Sequence, residues 1–99
     1  MTINKIQENE KIIFVLEGRM DTTTASQLEN VLIPAFEEAK QIELDFSRLV
    51  YVSSAGLRVL LTGQKTAMSK ESAMTLISVS EDIKEIFKIS GFDSILKII

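Results

Sequence analysis

The sequence has no cysteine, no histidine and no tryptophan among its 99 residues. Without cysteine the chain offers no disulfide, no thiol nucleophile and no thiolate metal site. Without histidine it lacks the usual general base, the commonest metal ligand and an imidazole pH switch. Two frequent routes to catalysis are therefore closed. We expect a protein that is not an enzyme and that uses no cofactor and no metal.

Long apolar runs and an excess of positive charge are also absent. No segment approaches the roughly 20 apolar residues of a membrane-spanning helix, and the start, MTINK, lacks the apolar region of a signal peptide. Eleven Lys and Arg stand against fourteen Asp and Glu, without a basic cluster. Because nucleic-acid binding needs a basic patch, it is not expected. We expect a cytoplasmic protein without a membrane span.

What the sequence does contain is one domain of ordinary globular composition, 45% hydrophobic and 25% charged, over residues 1–99. Two N-terminal strands joined by a polar turn at 8–11 predict an antiparallel hairpin. The apolar run at 12–16 is nearly continuous, which is typical of a strand inside a sheet or covered on both faces.

The middle of the chain predicts a helix and then a strand. Apolar spacings of three and four predict one helix over 23–39, with Asp21 or Thr22 as its cap. Pro34 removes one backbone hydrogen bond, so this helix is expected to bend. Residues 41–46 alternate with period two and predict a half-buried strand.

The second half predicts two more helices and two more strands. The first helix follows the serine pair at 53–54, and its predicted buried face consists of Leu57, Leu60, Leu61, Gln64, Ala67 and Met68. A strand at 73–79, a helix capped by Ser80 and stopped by Gly91, and a strand at 94–99 follow. The alternation predicts an α/β domain with a mainly parallel mixed sheet of about five strands, packed by three or more helices.

The stretch that carries chemistry is DFSRLVYVSSAGLRVLL, residues 45–61. It predicts a strand, a short connection and the start of a helix. A helix start exposes free N–H groups and the positive end of the helix dipole, so it can hold an anion. Ser53 and Ser54 stand where a helix cap is preferred and where a phosphate is best tolerated. The residues alone leave both uses open.

Catalytic interpretations of this stretch fail on their residue requirements. A nucleophile elbow needs a glycine where Val52 stands and a histidine that the chain lacks. Neither glycine-rich phosphate-binding loop motif occurs. Asp21 and Asp45 could approach one another at one end of the sheet, but each carboxylate is more simply explained as a cap or a solvated group. A phosphoserine switch needs no catalytic residue, and plain capping serines are its alternative.

Two segments resemble the STAS domain family, which includes bacterial anti-sigma factor antagonists. The segment LDFSRLVYVSSAGL at 44–57 is similar to the family signature, and GRMDTTTA at 18–25 is similar to its second motif. The length and the order of elements also match, so the resemblance covers essentially the whole chain.

The resemblance implies a partner-switching protein. Family members of this size bind an anti-sigma factor that is also a serine kinase and so release the sigma factor. Phosphorylation of one serine ends the interaction, and a serine phosphatase reverses it. Alignment on Gly56 places that serine at Ser54, with Ser53 as the second choice. The implied partner-binding residues are Asp21, Thr24, Ser53, Ala55, Gly56 and Arg58.

The chain departs from the family pattern beside the candidate serine. Ser53 stands where the family often has an acid, Ala55 replaces a second hydroxyl, and Arg58 stands where a small residue is frequent. Arg58 is a candidate to pair with a phosphate or with an acidic partner. The alternative function is a STAS binding module that is not phosphorylated, such as a soluble subunit of a lipid-transport ATPase complex or of a sensor assembly.

Overall fold

A computed structural model describes all 99 residues as a five-stranded sheet with three α-helices. The strands are β1 (Thr2–Glu8), β2 (Lys11–Met20), β3 (Gln41–Val52), β4 (Ala73–Ile77) and β5 (Lys97–Ile98). The helices are α1 (Ala25–Ala35), α2 (Ser54–Ser69) and α3 (Glu81–Ser90), and a short 3₁₀ helix spans Phe92–Ser94. The predicted order of elements and the α/β class are confirmed.

The strands lie side by side in the order in which they occur in the chain. β1 pairs antiparallel with β2, which confirms the hairpin, and the other three pairings are parallel. Parallel strands need crossover connections, which the three helices supply. The sheet is therefore mixed and mainly parallel, as predicted.

All three helices pack on one face of the sheet. Gly63 of α2 approaches Leu32 of α1 and Met74 of β4, while the ring of Phe87 in α3 lies 6.2 Å from that of Phe46 in β3. Met74 pairs with Ile42 of β3, which shares a face with Phe46 because side chains alternate along a strand. The hydrophobic core of 24 buried residues forms at this face.

Strand β2 is inside the sheet, between β1 and β3, but it is not covered on both faces. Ile12, Phe14 and Leu16 are fully buried beneath the helices, whereas Ile13 and Val15 on the other face are only half-buried. The nearly continuous apolar run therefore indicates an interior strand with one well-packed face. β-branched residues fill the other face because they suit a pleated, partly exposed surface.

Helix α1 is shorter than the predicted 23–39. It ends at Ala35, one residue after Pro34, and the next backbone bonds run over three residues, from Phe36 N to Ile33 O and from Glu37 N to Pro34 O. Proline at this position removes a helical donor and favours such a tightened last turn. The helix therefore ends next to Pro34 where a bend was expected. Phe36 and Ala39, beyond this end, are still buried.

The buried face of α2 differs from the predicted one. The residues that it buries are Gly56, Val59, Leu60, Gly63 and Ala67. Leu57 and Leu61 are half-buried, and Met68 is 69% exposed. The buried face includes both glycines of the helix because the closest packing forms there. A Cβ on Gly63 would lie 2.8 Å from Leu32 Cδ2. Sequence reasoning favoured the larger leucines and missed Val59.

Strand β3 is longer than the predicted 41–46, because two irregularities let it continue to Val52. Between Val15 and Glu17, and again between Gly18 and Arg19, β3 advances one residue more than β2. These are β-bulges, each with one extra residue in β3. The Ser47 N–H donates to Asp45 Oδ1 at 2.8 Å inside the first bulge.

The extension of β3 corrects the expectation that Asp45 and Asp21 meet at one end of the sheet. Val52, not Asp45, pairs with Met20 beside Asp21. Asp45 lies seven residues earlier, a separation of about 20 Å along a strand.

The C-terminal region largely follows the prediction. Ser80 Oγ accepts from the Ile83 N–H at 3.3 Å and caps α3, and Gly91 ends that helix with φ 81°, a conformation that favours glycine. β4 stops at Ile77, and the last strand covers only two residues because a 3₁₀ turn occupies Phe92–Ser94. No helix here combines the length and the hydropathy that a membrane span requires.

Candidate functional site

The two serines at the start of α2 have different structural roles. Ser53 is the N-cap: its backbone is extended, and its Oγ accepts from the Gly56 N–H at 3.2 Å. Ser54 is the first residue of the helix, is exposed, and makes no side-chain hydrogen bond to the rest of the chain. Ser53 is therefore held by the fold as the cap of α2, while the Ser54 hydroxyl is free.

The start of α2 is attached directly to the end of β2. The Ser53 N–H donates to the Met20 carbonyl at 2.8 Å. Gly56 is buried against the same residue: a Cβ there would lie 2.9 Å from Met20 Sδ and 3.0 Å from Val52 Cγ1. Glycine thus lets the first turn of α2 lie close to the sheet. This contact fixes the Ser53–Ser54 pair beside the segment that follows Met20.

That segment is a compact turn organised by Asp21. Its Oδ1 accepts from the N–H groups of Thr23 and Thr24, both at 3.0 Å. The Thr24 hydroxyl donates to the Arg19 carbonyl at 2.7 Å and accepts from the Asp21 N–H at 2.9 Å. The Asp21 carboxylate therefore caps the turn at 21–24. The N-cap of α1 itself is Thr24, without a side-chain cap hydrogen bond, so the prediction that Asp21 or Thr22 caps this helix is wrong.

The hydrogen bonds of this turn also control the charge of Asp21. The hydrogen bond from the Thr24 N–H is the largest influence and lowers the pKa of Asp21 below its ordinary value. Desolvation, the second largest, opposes it, and the Thr24 hydroxyl, the Thr23 N–H and the Arg19 charge each lower the pKa further. Hydrogen bonds to a carboxylate favour its charged form. Asp21 is consequently a fixed negative charge at neutral pH.

The structure brings most of the predicted site residues together around Ser54. Asp21 and Thr24 are half-buried in the turn after β2, and Ala55 is half-buried and packs against the core. Gly56 is fully inside, so its contribution is to packing. Arg58 is exposed on the next turn of α2 and forms no ion pair.

Sequence reasoning missed the contribution of the strand ends. Met20 supplies both the backbone acceptor for Ser53 and the side chain that Gly56 contacts. The Arg19 guanidinium lies over the Tyr51 ring, 4.4 Å from its centroid. Neither contact has a sequence signal of its own, since the register of β2 and β3 depends on two bulges.

The chemistry available here is that of a surface which accommodates an anion. The cap uses the Gly56 N–H, while the helix itself offers no acceptor to the N–H groups of Ser54 and Ala55. The helix dipole adds to their positive field. No group of three acidic side chains is arranged to hold a metal, and the three surface depressions are lined by other residues. The site is an open surface, which suits contact with a protein.

Comparison with known proteins identifies relatives of this chain. Residues 5–97 match the family model described as "Mlab, STAS domain". The chain is 34% identical to BtrV of Bordetella bronchiseptica, which is named as a candidate anti-sigma factor antagonist, over 99% of this chain and 84% of that protein.

Solved structures share the fold at lower sequence identity. A candidate anti-sigma factor antagonist from Thermotoga maritima has a TM-score of 0.89 at 18% identity, over 97% of this chain and 84% of that one. Phosphorylated SpoIIAA of Bacillus has a TM-score of 0.78 at 18% identity, over 99% and 91%. With the family model matching nearly its full length, this chain belongs to the STAS domain family.

Proposed function

We propose that this chain is an anti-sigma factor antagonist that is switched off by phosphorylation of Ser54. In its unphosphorylated form it binds an anti-sigma factor that is also a serine kinase, and the sigma factor is released. A serine phosphatase restores the active form. The relative from Bordetella bronchiseptica is named for such an antagonist role, and the Bacillus structure is of a phosphorylated protein.

The observation that carries the proposal is the difference in structural role between the two serines. Ser53 Oγ is engaged in capping α2, so its modification would remove a hydrogen bond of the fold. Ser54 is exposed and its hydroxyl is free, so it can enter a kinase active site while the helix stays intact. A phosphate there would gain from the helix dipole and the neighbouring N–H groups.

The same phosphate would oppose a bound partner. It adds a charge of roughly −1.5 to −2 beside Asp21, whose carboxylate is already ionised. A protein surface packed over Ser54 would have to desolvate this charge, which is costly without a matching cation. The domain therefore tolerates the phosphate, and the complex does not.

The direct test is phosphate mapping. The chain is incubated with ATP and each anti-sigma factor serine kinase of its own organism, and the sites are identified by mass spectrometry. Phosphate on Ser54 is expected in the wild type and in Ser53→Ala, and none at this position in Ser54→Ala. A kinase that binds the chain and phosphorylates another substrate, yet leaves both serines unmodified, would exclude the switch.

A second test separates charge at Ser54 from charge at helix starts in general. Ser54→Asp is expected to weaken binding of the kinase at least about tenfold with little change in melting temperature. The matched control is Ser26→Asp, because Ser26 is also an exposed serine in the first turn of a helix. Equal affinities of Ser54→Asp and wild type would contradict the proposal.

The second candidate function is a STAS binding module that is never phosphorylated, as a subunit of a lipid-transport ATPase complex or of a sensor assembly. The residues beside Ser54 favour it, because Ser53 and Ala55 replace an acid and a hydroxyl of the family pattern. Stable partner binding that Ser54→Asp leaves unchanged would support this candidate.

A further inference from the structure

Arg58 is the one arginine of the chain that the fold leaves without a partner. Arg48 lies 3.7 Å from Glu17 in an ion pair, and the Arg19 guanidinium lies over the Tyr51 ring, 4.4 Å from its centroid. Arg58 is exposed and belongs to none of the five ion pairs. Its guanidinium is therefore available to an anion that the unmodified chain does not carry.

Arg58 lies one helical turn after Ser54. Both residues belong to α2, which runs unbroken from Ser54 to Ser69. Residues four apart on a helix share a face, and their Cβ atoms are about 5–6 Å apart. Helical side chains also lean toward the amino terminus, so the long side chain of Arg58 can extend over the turn that carries Ser54. The guanidinium can thus reach a group attached to Ser54 Oγ.

The order and the chemistry of this pair both suit a phosphate on Ser54. An anion that precedes a cation by four residues is the favourable order of a helical ion pair, because it agrees with the helix dipole. A guanidinium can also hold a phosphate through two parallel hydrogen bonds, which a lysine ammonium does not reproduce. The ionised Asp21 in the neighbouring turn repels the same phosphate, so a cation on α2 offsets that cost.

We propose that Arg58 binds the phosphate of phosphorylated Ser54 within α2 and is the positioning residue of the phosphorylated state. In the unmodified chain Arg58 is the only charged side chain between Ser54 and Leu61, so this half of α2 is positive. Phosphorylation adds a charge of roughly −1.5 to −2, so the same surface becomes negative while the arginine is engaged. The inference rests on the proposed function, because Ser54 is its phosphoacceptor.

The pair has a consequence for the lifetime of the phosphorylated state. Since one positive charge meets nearly two negative ones, the pair remains negative and still opposes a bound partner. A phosphatase, however, must free the phosphate from the guanidinium before hydrolysis. The phosphorylated Arg58→Gln variant should therefore be dephosphorylated about threefold faster than the phosphorylated wild type, the factor expected for an exposed ion pair. Equal or slower hydrolysis in this variant would contradict the consequence.

The direct test is the second pKa of the phosphate, followed by phosphorus NMR as the pH is varied. Phosphoserine is built into position 54 during synthesis, so the measurement needs no kinase. A neighbouring cation favours the doubly charged phosphate and lowers this pKa from its usual value of about 6. We expect a pKa about 0.5 pH unit lower with Arg58 than in Arg58→Gln, with Arg58→Lys in between. Equal pKa values with Arg58 and in Arg58→Gln would overturn the proposal.

Two controls separate the pair from net charge and from the helix start. Lys65→Gln removes the same charge from α2, but Lys65 is exposed without an ion pair and lies about 16 Å from Ser54 along the helix axis. Phosphorylated Ser26 provides a helix start without the cation, because the residue four positions later is Asn30. Lys65→Gln should leave the pKa at position 54 unchanged, and Arg58→Gln should leave that of phosphorylated Ser26 unchanged. A change in either control equal to that at position 54 in Arg58→Gln would reject the pair.

The inference and the proposed function can fail separately. If no kinase modifies Ser54, yet the built-in phosphoserine has the lower pKa with Arg58, the proposed function is wrong and the pair is supported. If a kinase does modify Ser54, yet Arg58→Gln leaves the pKa unchanged, the switch operates without Arg58 and the inference is wrong. The Arg58 Nε–H signal in NMR reports the pair directly: it should shift when position 54 carries phosphate, whereas that of Arg48 should not.

Discussion

The two ends of the parallel sheet use polar residues in opposite ways. At the amino ends of the strands, charged side chains neutralise one another: Lys11 lies 3.1 Å from Glu43, and Lys70 pairs with Glu37. At the carboxyl ends, Ser54 is exposed without a hydrogen bond and Arg58 has no ion pair. The amino end thus carries ion pairs between its elements, and the carboxyl end leaves Ser54 and Arg58 available.

The difference follows from the direction of the chain. α1 and α2 begin at the carboxyl ends of β2 and β3, so their free N–H groups and positive dipole ends point to that side. Their carboxyl termini lie at the other end, where lysines such as Lys40, 3.1 Å from the Lys70 carbonyl, satisfy backbone acceptors. Ligands of open parallel sheets bind at the carboxyl ends for this reason.

The largest effect is expected from filling the space at Gly56. Gly56→Val places side-chain atoms where Met20 and Val52 already lie, so the contact between the start of α2 and the carboxyl ends of β2 and β3 must open. We expect a loss of about 2–3 kcal/mol in the free energy of unfolding, measured by chemical denaturation. Lys65→Val, at an exposed position of the same helix, carries only the helix propensity cost of valine. Equal stability of the two variants would show that the contact is not tight.

A smaller effect is expected from removing the cap of α2. Ser53→Ala loses the hydrogen bond to the Gly56 N–H and should cost about 1 kcal/mol. Ser54→Ala removes no hydrogen bond and should stay within about 0.5 kcal/mol of the wild type. Thermal denaturation of both variants measures the difference. A greater loss in Ser54→Ala would reverse the roles assigned to the two serines.

A pH-dependent effect smaller than that of the cap is expected at Asp21. Because its pKa is lowered in the folded protein, its ionised form contributes stability that is present above the ordinary aspartate range and is lost in acid. Asp21→Asn should melt at a lower temperature than the wild type near neutral pH, and the difference should disappear as the pH falls through the folded-state pKa. A difference that is constant with pH would show that the Asp21 charge is not involved.

The smallest effect is expected at the amino end. Lys11→Met removes an ion pair in which both side chains remain partly exposed, so stability should change by less than about 0.5 kcal/mol. Kinase binding should not change at all. Weaker binding by this variant would extend the contact surface to the amino end and remove the contrast between the two ends.

Elements with strong local signals were predictable from the sequence. The alternation at 41–46, the cap at Ser80 and the stop at Gly91 depend on neighbouring residues, and the structure confirms each of them. The extent of α1 was not predictable from the sequence, because whether Pro34 bends a helix or ends it depends on what the next turn packs against. The buried face of α2 was predicted only in part: Leu60 and Ala67 are buried, but the two glycines of the helix are buried where Leu57 and Leu61 were expected, because the closest packing forms at the glycines.

The sequence by itself determined the α/β alternation, the position of the serine pair at a helix start, and the absence of histidine and cysteine chemistry. These properties follow from local periodicity and composition. Only the tertiary structure decided that Ser53 is held and Ser54 is free, because that distinction depends on where Met20 and Gly56 meet. Val50 has no partner in β2 and is 69% exposed. This exposure was likewise decided by the pairing of β2 with β3, since a bulge exists only relative to a partner strand.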